Sequence, residues 1–117
     1  MAEPVSTGST VPLQTFAQLD IRVGKILTVE DIPGARKPLF KIAIDFGNGV
    51  VRQCAAGIKA FYTKEQLIGK QVVAVVNLEP KQIAGVTSEC MLLASFIETD
   101  LSLLRPDKEM PLGTKVA

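Results

Sequence analysis

The stretch Leu39-Phe40-Lys41-Ile42-Ala43-Ile44-Asp45-Phe46-Gly47-Asn48-Gly49-Val50-Val51-Arg52-Gln53-Cys54-Ala55-Ala56 decides the fold. Up to Phe46 it alternates. Phe40, Ile42, Ile44 and Phe46 share one face, and Leu39, Lys41, Ala43 and Asp45 share the other. A period of two with one apolar face predicts a strand half buried against a core. Gly47-Asn48-Gly49 then supplies residues that tolerate the positive dihedrals of a hairpin turn. Val50 to Ala56 reads as the returning strand, and Gly57 ends it.

Working outward, Asp20 to Ile32 reads as a long strand rich in β-branched residues, closed by Pro33-Gly34. Gly24 interrupts it, which predicts a bulge or a sharp bend at a barrel corner. Thr63 and Gln66 have capping-box spacing, and Leu67-Ile68-Gly69 marks the end of a short helix. Lys70 to Leu78 reads as an apolar strand buried on both faces and broken by Pro80. Val86 to Phe96 is a further strand, entered through a loop containing Gly85. At the other end, residues 1–14 carry Pro4, Gly8 and Pro12 among Ser and Thr and read as a flexible tail. Thr15 is placed to cap a turn of helix that presents Phe16 and Leu19.

Three strands in a meander, a helix and two closing strands is the order of an all-β, five-stranded OB-fold barrel. A bent first strand suits such a barrel, because it must serve two parts of a closed sheet. The expected architecture is therefore one domain over 15–117. The barrel spans about 20–96, one short helix sits between strands three and four, a short helix precedes the barrel, and a C-terminal strand extension covers about 97–117.

A chain of 117 residues buries roughly two thirds of its unfolded surface and needs neither disulfide nor metal to fold. Hydrophobic residues make up 47% and charged residues 21%, a globular rather than a disordered balance. The longest apolar run is Val72 to Val76, far short of the roughly 20 residues of a membrane-spanning helix. No basic start followed by an apolar stretch opens the chain, so a cytoplasmic protein is expected. There is no histidine, which removes Ser-His-Asp and Cys-His nucleophile systems and histidine metal sites. Cys54 and Cys90 form no Cys-x-x-Cys pair and read as two small buried thiols without a disulfide. No paired-carboxylate motif or phosphate-cradling glycine loop is present, so neither catalysis nor a metal or other cofactor is expected.

Net charge is +1, unevenly placed. Residues 33–81 hold eight basic and three acidic residues, a net +5, whereas 1–32 hold two against four and 82–117 three against five. Such asymmetry builds either a local positive face or an ordinary solvated surface. Arg36, Lys37, Lys41, Arg52, Lys59 and Lys81 lie in the basic section. Arginine offers phosphate a forked pair of donors, and Arg52 stands inside a predicted strand beside polar Gln53. Phe40, Phe46, Phe61 and Phe96 sit in apolar patterns and read as core. The chain is thus poorly supplied for stacking several unpaired bases and better suited to recognising backbone shape.

The residues Leu19-Asp20-Ile21-Arg22-Val23-Gly24-Lys25-Ile26, Gly57-Ile58, Tyr62, Leu67-Ile68-Gly69-Lys70, Val76-Asn77-Leu78-Glu79-Pro80-Lys81 and Ile83 to Ala94 carry a resemblance. In this order they resemble the tRNA-binding domain that occurs as a stand-alone dimer, in some methionyl- and phenylalanyl-tRNA synthetases, and in the endothelial monocyte-activating polypeptide. Within that superfamily, Ala35-Arg36-Lys37-Pro38, Val72 to Asn77 and the tail Leu103-Leu104-Arg105-Pro106-Asp107 through Gly113-Thr114-Lys115-Val116 are most similar to the CsaA-type export-related chaperones. The chain departs from many relatives at Cys90, where they carry glycine.

The resemblance implies an OB-fold homodimer that binds tRNA, or RNA of similar shape, without catalysis. It also implies an alternative, a chaperone for unfolded secretory precursor polypeptides working with export machinery. Asn77, Ser88 and Met91 match its motif near the RNA pocket. With Arg36, Lys37, Lys41, Arg52 and Lys81 they form the expected RNA-binding set. Asn77 and Ser88 equally suit bonds to local backbone at a strand end and a turn, and Glu89 suits a pairing with a nearby arginine. After the barrel, apolar Ile97, Leu101, Leu103, Leu104, Met110, Leu112 and Val116 remain, together with Phe16 and Leu19 before it. They either fold back on the barrel or form a two-fold interface. The expected interface holds Phe16, Leu19, Leu101, Leu103 and Leu104, and no membrane contact is expected.

Overall fold

The structure is a computed structural model; it describes residues 4–5 and 8–117. Residues 1–3, 6 and 7 of the expected tail lie outside the described residues. The elements are α1 (Leu13–Phe16), β1 (Ile21–Asp31), β2 (Phe40–Asp45), β3 (Val51–Ala56), α2 (Lys64–Leu67), β4 (Gln71–Val75), β5 (Lys81–Ile83), β6 (Val86–Ser88), β7 (Met91–Leu92), β8 (Ala94–Ile97) and β9 (Asp100–Leu103). Five of them form one antiparallel sheet in the order β3-β2-β1-β4-β7, curled into a nearly closed barrel. The fold is all-β, with the architecture of an OB barrel. No helix among the described residues is long and apolar enough to cross a membrane.

The β2–turn–β3 hairpin sets the core. Phe40, Ile42 and Ile44 of β2 are buried and stand opposite Ala56, Cys54 and Arg52 of β3. Gly47, Asn48 and Gly49 all take positive φ, and the turn closes with Val50 N–H donating to the Gly47 carbonyl at 2.9 Å. β1 serves two neighbours: residues 21–25 pair with β4 and residues 25–31 with β2, so Lys25 faces both Gln71 and Asp45. The bulge lies at Leu27, between Ile26 and Thr28, and not at Gly24. Gly24 answers a different need. A Cβ there would lie 2.5 Å from Ile44 Cγ2 and 2.7 Å from Phe46 Cε1, so the strands can approach only without one.

β4 is buried on both faces. Val72 and Ala74 enter the barrel core, while Val73 and Val75 pack outside it with Ile21, Leu93 and Val116. The C-terminal segment covers the edge of β1 that β2 leaves open. Gly113 N–H donates to the Val23 carbonyl, Val23 N–H to the Thr114 carbonyl and Val116 N–H to the Ile21 carbonyl. Gln71 pins the same segment, exchanging two hydrogen bonds with the Met110 backbone at 2.7 and 3.0 Å.

Several expectations need correcting. The N-terminal helix begins at Leu13 with Pro12 at its cap, so Thr15 lies inside it. The expected strand Val86–Phe96 is three strands in three sheets. Only β7 joins the barrel; β6 pairs with β5, and β8 with β9. The β5–β6 turn is Ala84-Gly85, with φ of 50° and 82°. Alanine is a poor advertisement for a left-handed turn position. Phe96 and Phe61 are not core. Phe96 is 75% exposed because its face runs past the barrel edge toward the β8–β9 turn, and Phe61 is also exposed.

α2 is capped as its sequence predicts: Thr63 Oγ1 accepts from Gln66 N–H while Gln66 Oε1 accepts from Thr63 N–H. Asp31 at the end of β1 pairs with Lys59 and Lys64, each at 2.9 Å. Hydrogen bonds from Lys64 and then Lys59 hold its carboxyl below the ordinary value.

Candidate nucleic-acid interface

On β3, Arg52 occupies the register that places Cys54 and Ala56 toward the core. It is the last inward position before the strand leaves the barrel, and its guanidinium is exposed at an open mouth. On β1, Arg22 stands opposite core residue Ala74 and shares its face with Gly24, so it emerges at the same mouth. The two arginines line a cavity of about 330 Å³ with Asp20, Phe46, Asn48 and Leu112.

Arg22 is held in place. Its Nε donates to Asp20 Oδ1 at 2.5 Å and its Nη1 to the Gly113 carbonyl at 3.2 Å. Arg52 takes part in none of the ion pairs among the described residues. One fixed guanidinium and one free guanidinium beside an apolar wall suit an oxyanion of the phosphate type. Sequence reasoning missed Arg22. The available signal was a charged residue on the core-facing register of an otherwise apolar strand.

Asn77 adjoins this mouth through Asp20. Its Oδ1 accepts from Asp20 N–H and its Nδ2 donates to the Gln18 carbonyl, both at 2.7 Å. It fastens the end of α1 to β1, yet stays exposed with one lone pair and one N–H unused.

Lys81, Ser88 and Met91 gather elsewhere, around a second cavity of about 520 Å³. Its walls are mostly apolar: Ile58, Ile83, Leu92, Leu101 and Leu103, with exposed Phe96, Met91 and Leu78 among its lining residues. Ser88 Oγ accepts from Ala55 N–H at 3.2 Å and donates to the Cys90 carbonyl. Glu89 pairs with no arginine; its Oε1 accepts from Gln53 N–H at 3.1 Å. These bonds hold β3 against residues 87–90 and close the barrel. Arg36 and Lys37 lie exposed in the β1–β2 connection. Lys41 projects from the outer face of β2, opposite Glu30 and Ala55. The expected RNA-binding residues are therefore divided among two cavities, a loop and a strand face.

Four more cations that sequence reasoning did not single out, Lys25, Lys70, Arg105 and Lys108, surround a third cavity of about 250 Å³ together with Asp107 and Glu109.

Residues 21–115 match the family described as "Putative tRNA binding domain". The chain belongs to that tRNA-binding domain family. Among its curated relatives, the methionine–tRNA ligase of Pyrococcus horikoshii is 48% identical over 106 residues, which are 91% of this chain and 14% of that protein. The chain thus spans about a seventh of the length of the ligases it matches. Among solved structures, the CsaA chaperone of Picrophilus torridus has 39% identity and a TM-score of 0.85, covering 92% of this tRNA-binding domain chain and all of that one. The MetRS-related protein of Pyrococcus horikoshii has 33% identity and a TM-score of 0.85, covering 93% of this chain and 99% of that one.

The residues expected at a dimer interface divide as well. Leu103 is buried in the chain's own core, and its N–H donates to the Tyr62 hydroxyl at 3.0 Å. Leu101 packs partly against that core. Phe16 and Leu19 on and after α1, and Leu104 after β9, remain exposed, as does Leu13.

Proposed function

We propose that this chain is a non-catalytic tRNA-binding protein that grips the phosphate backbone at the Arg22–Arg52 mouth and works in the cytoplasm as a homodimer. The observation that carries this reading is the pair of arginines brought from separate strands to one opening, in a chain of the tRNA-binding domain family. Arg36, Lys37, Lys41 and Lys81 add phosphate contacts around the barrel, and Asn77 hydrogen-bonds the RNA beside the mouth. Ser88 and Met91 receive an unpaired base at the second cavity. The two-fold contact uses the exposed apolar Leu13, Phe16, Leu19 and Leu104. It adjoins the mouth because Asn77 ties the end of α1 to Asp20.

A titration of unmodified tRNA at several salt concentrations tests the reading. Each phosphate neutralised contributes roughly 0.7–0.9 to the slope of log affinity against log salt. Affinity at low salt with a slope of several such units is expected. Absence of binding at low salt, or a flat response, contradicts it.

The apolar cavity favours a second reading, a chaperone for unfolded secretory precursors acting beside export machinery. It is lined by Phe96, Met91 and Leu78, and the CsaA chaperones share the fold over their full length. Extended apolar polypeptide suits its walls, and such binding is insensitive to salt, unlike that of tRNA.

A further inference from the structure

Two thiols that lie 36 positions apart in sequence are neighbours in space. Cys54 sits on the inward face of β3, and Cys90 immediately precedes β7. Both belong to the same core cluster and both line the 520 Å³ cavity. Cys90 Sγ lies 3.9 Å from the carbonyl of Gln53, the residue next to Cys54. Glu89 N–H donates to that same carbonyl at 2.8 Å, locking the two segments side by side. This is the seam that closes the barrel, and no strand ladder joins β3 to β7 there.

We propose that Cys54 and Cys90 are a modification site, a thiol pair that hydrogen peroxide entering the apolar cavity converts to an intramolecular disulfide across the seam. Neither thiol is exposed to bulk water, so large thiol reagents are excluded, whereas a small neutral peroxide fits the cavity both sulfurs line. The Cys54 thiol and the Arg52 guanidinium hold the Cys90 thiol below its ordinary value, against burial and Glu89. The Cys90 thiol beside it and burial push Cys54 up. Cys90, the less deeply buried of the two, is the thiol that reacts first.

Its thiolate attacks one peroxide oxygen and the O–O bond breaks. Cys90 becomes a sulfenic acid, and the released oxygen leaves as water with the thiol's proton. Cys54 Sγ then attacks the Cys90 sulfur and the S–O bond breaks. The S–S bond forms, and the hydroxyl departs as water with the Cys54 proton. In sum, two thiols lose two hydrogens and one peroxide is reduced to two waters.

The test is hydrogen peroxide treatment of the folded full chain, followed by intact mass and non-reducing peptide mapping. The expected result is a loss of two hydrogens per chain, a linked peptide pair joining Cys54 to Cys90, no covalent dimer, and full reversal by dithiothreitol. Cys54→Ser should instead retain one oxygen on Cys90, read as a mass gain of one oxygen that dithiothreitol reverses; if that variant fails to fold, Cys54→Ala serves. An unchanged mass, a gain of oxygen without loss of two hydrogens in the unsubstituted chain, or chains linked to each other would overturn the proposal. No RNA enters the assay, so its outcome is independent of the function proposed above.

Discussion

The barrel carries two cavities of opposite chemistry. One is an open mouth with two arginines, Asp20 and Asn48 around a small volume; the other is larger and walled by aliphatic side chains. The difference arises from where a strand's inward register runs out. On β3 the inward positions are Ala56, Cys54 and then Arg52, so the same face that builds the core ends in a cation at the rim. On β8 and β9 the face holding Ala94, Leu103 and Leu101 ends instead in Phe96. One alternation therefore yields a phosphate-like site at one edge and an apolar site at another. Volume alone would point to the apolar cavity, but charge points to the mouth.

The largest effect should come from confusing wall with rim. Leu103→Ala removes a core side chain that also lines the apolar cavity and should cost about 2–5 kcal/mol of stability. Phe96→Ala, at 75% exposure, should change stability by no more than about 0.5 kcal/mol. Urea unfolding of the two variants measures both, and similar losses would mean that Phe96 is not rim.

Next in size is separation of the two ligand classes. Phe96→Asp should abolish capture of a reduced, unfolded polypeptide while leaving affinity for tRNA within about twofold, since Phe96 lines the apolar cavity and not the arginine mouth. Equal loss of both activities would merge the two cavities into one site. Oligomeric state sharpens the picture further. Sedimentation at micromolar concentration should give twice the 12.6 kDa chain mass. Leu19→Asp and Leu104→Asp should give folded monomers, and a native chain of monomer mass would remove the two-fold contact.

Much of this was legible in the residues. The Phe40–Phe46 alternation and Gly47-Asn48-Gly49 define a hairpin because period and turn chemistry agree there, and Thr63 with Gln66 defines α2 for the same reason. The β5–β6 hairpin was hidden because Ala84 takes a positive φ without a residue type that signals it. Arg22 was hidden because its role depends on which end of the barrel its face reaches. Cys54 and Cys90 were read correctly as buried, but their adjacency follows from barrel closure, which no local pattern records. Leu103 reads as surplus because it follows the end of the expected barrel near residue 96. In fact its strand folds back, and Leu103 fills the core beside Tyr62.

The smallest effect lies at a residue that lines neither cavity and serves as a control. Asp31 is exposed, and its carboxyl is held low by Lys64 and Lys59. A depressed carboxyl contributes stability that is present above its unfolded pKa and lost as pH falls through its lower folded pKa. Asp31→Asn should therefore slightly lower the melting temperature at neutral pH and flatten its decline in acid, with tRNA affinity unchanged.

The most direct measurement is tRNA affinity of Arg52→Ala against the native chain across a salt series. The backbone-grip account predicts weaker binding by roughly tenfold, about 1.4 kcal/mol for one charge-assisted contact. It also predicts a salt slope shallower by about 1, alike for different tRNA species. Native affinity and an unchanged slope in a folded Arg52→Ala protein would contradict it and move the RNA away from the mouth.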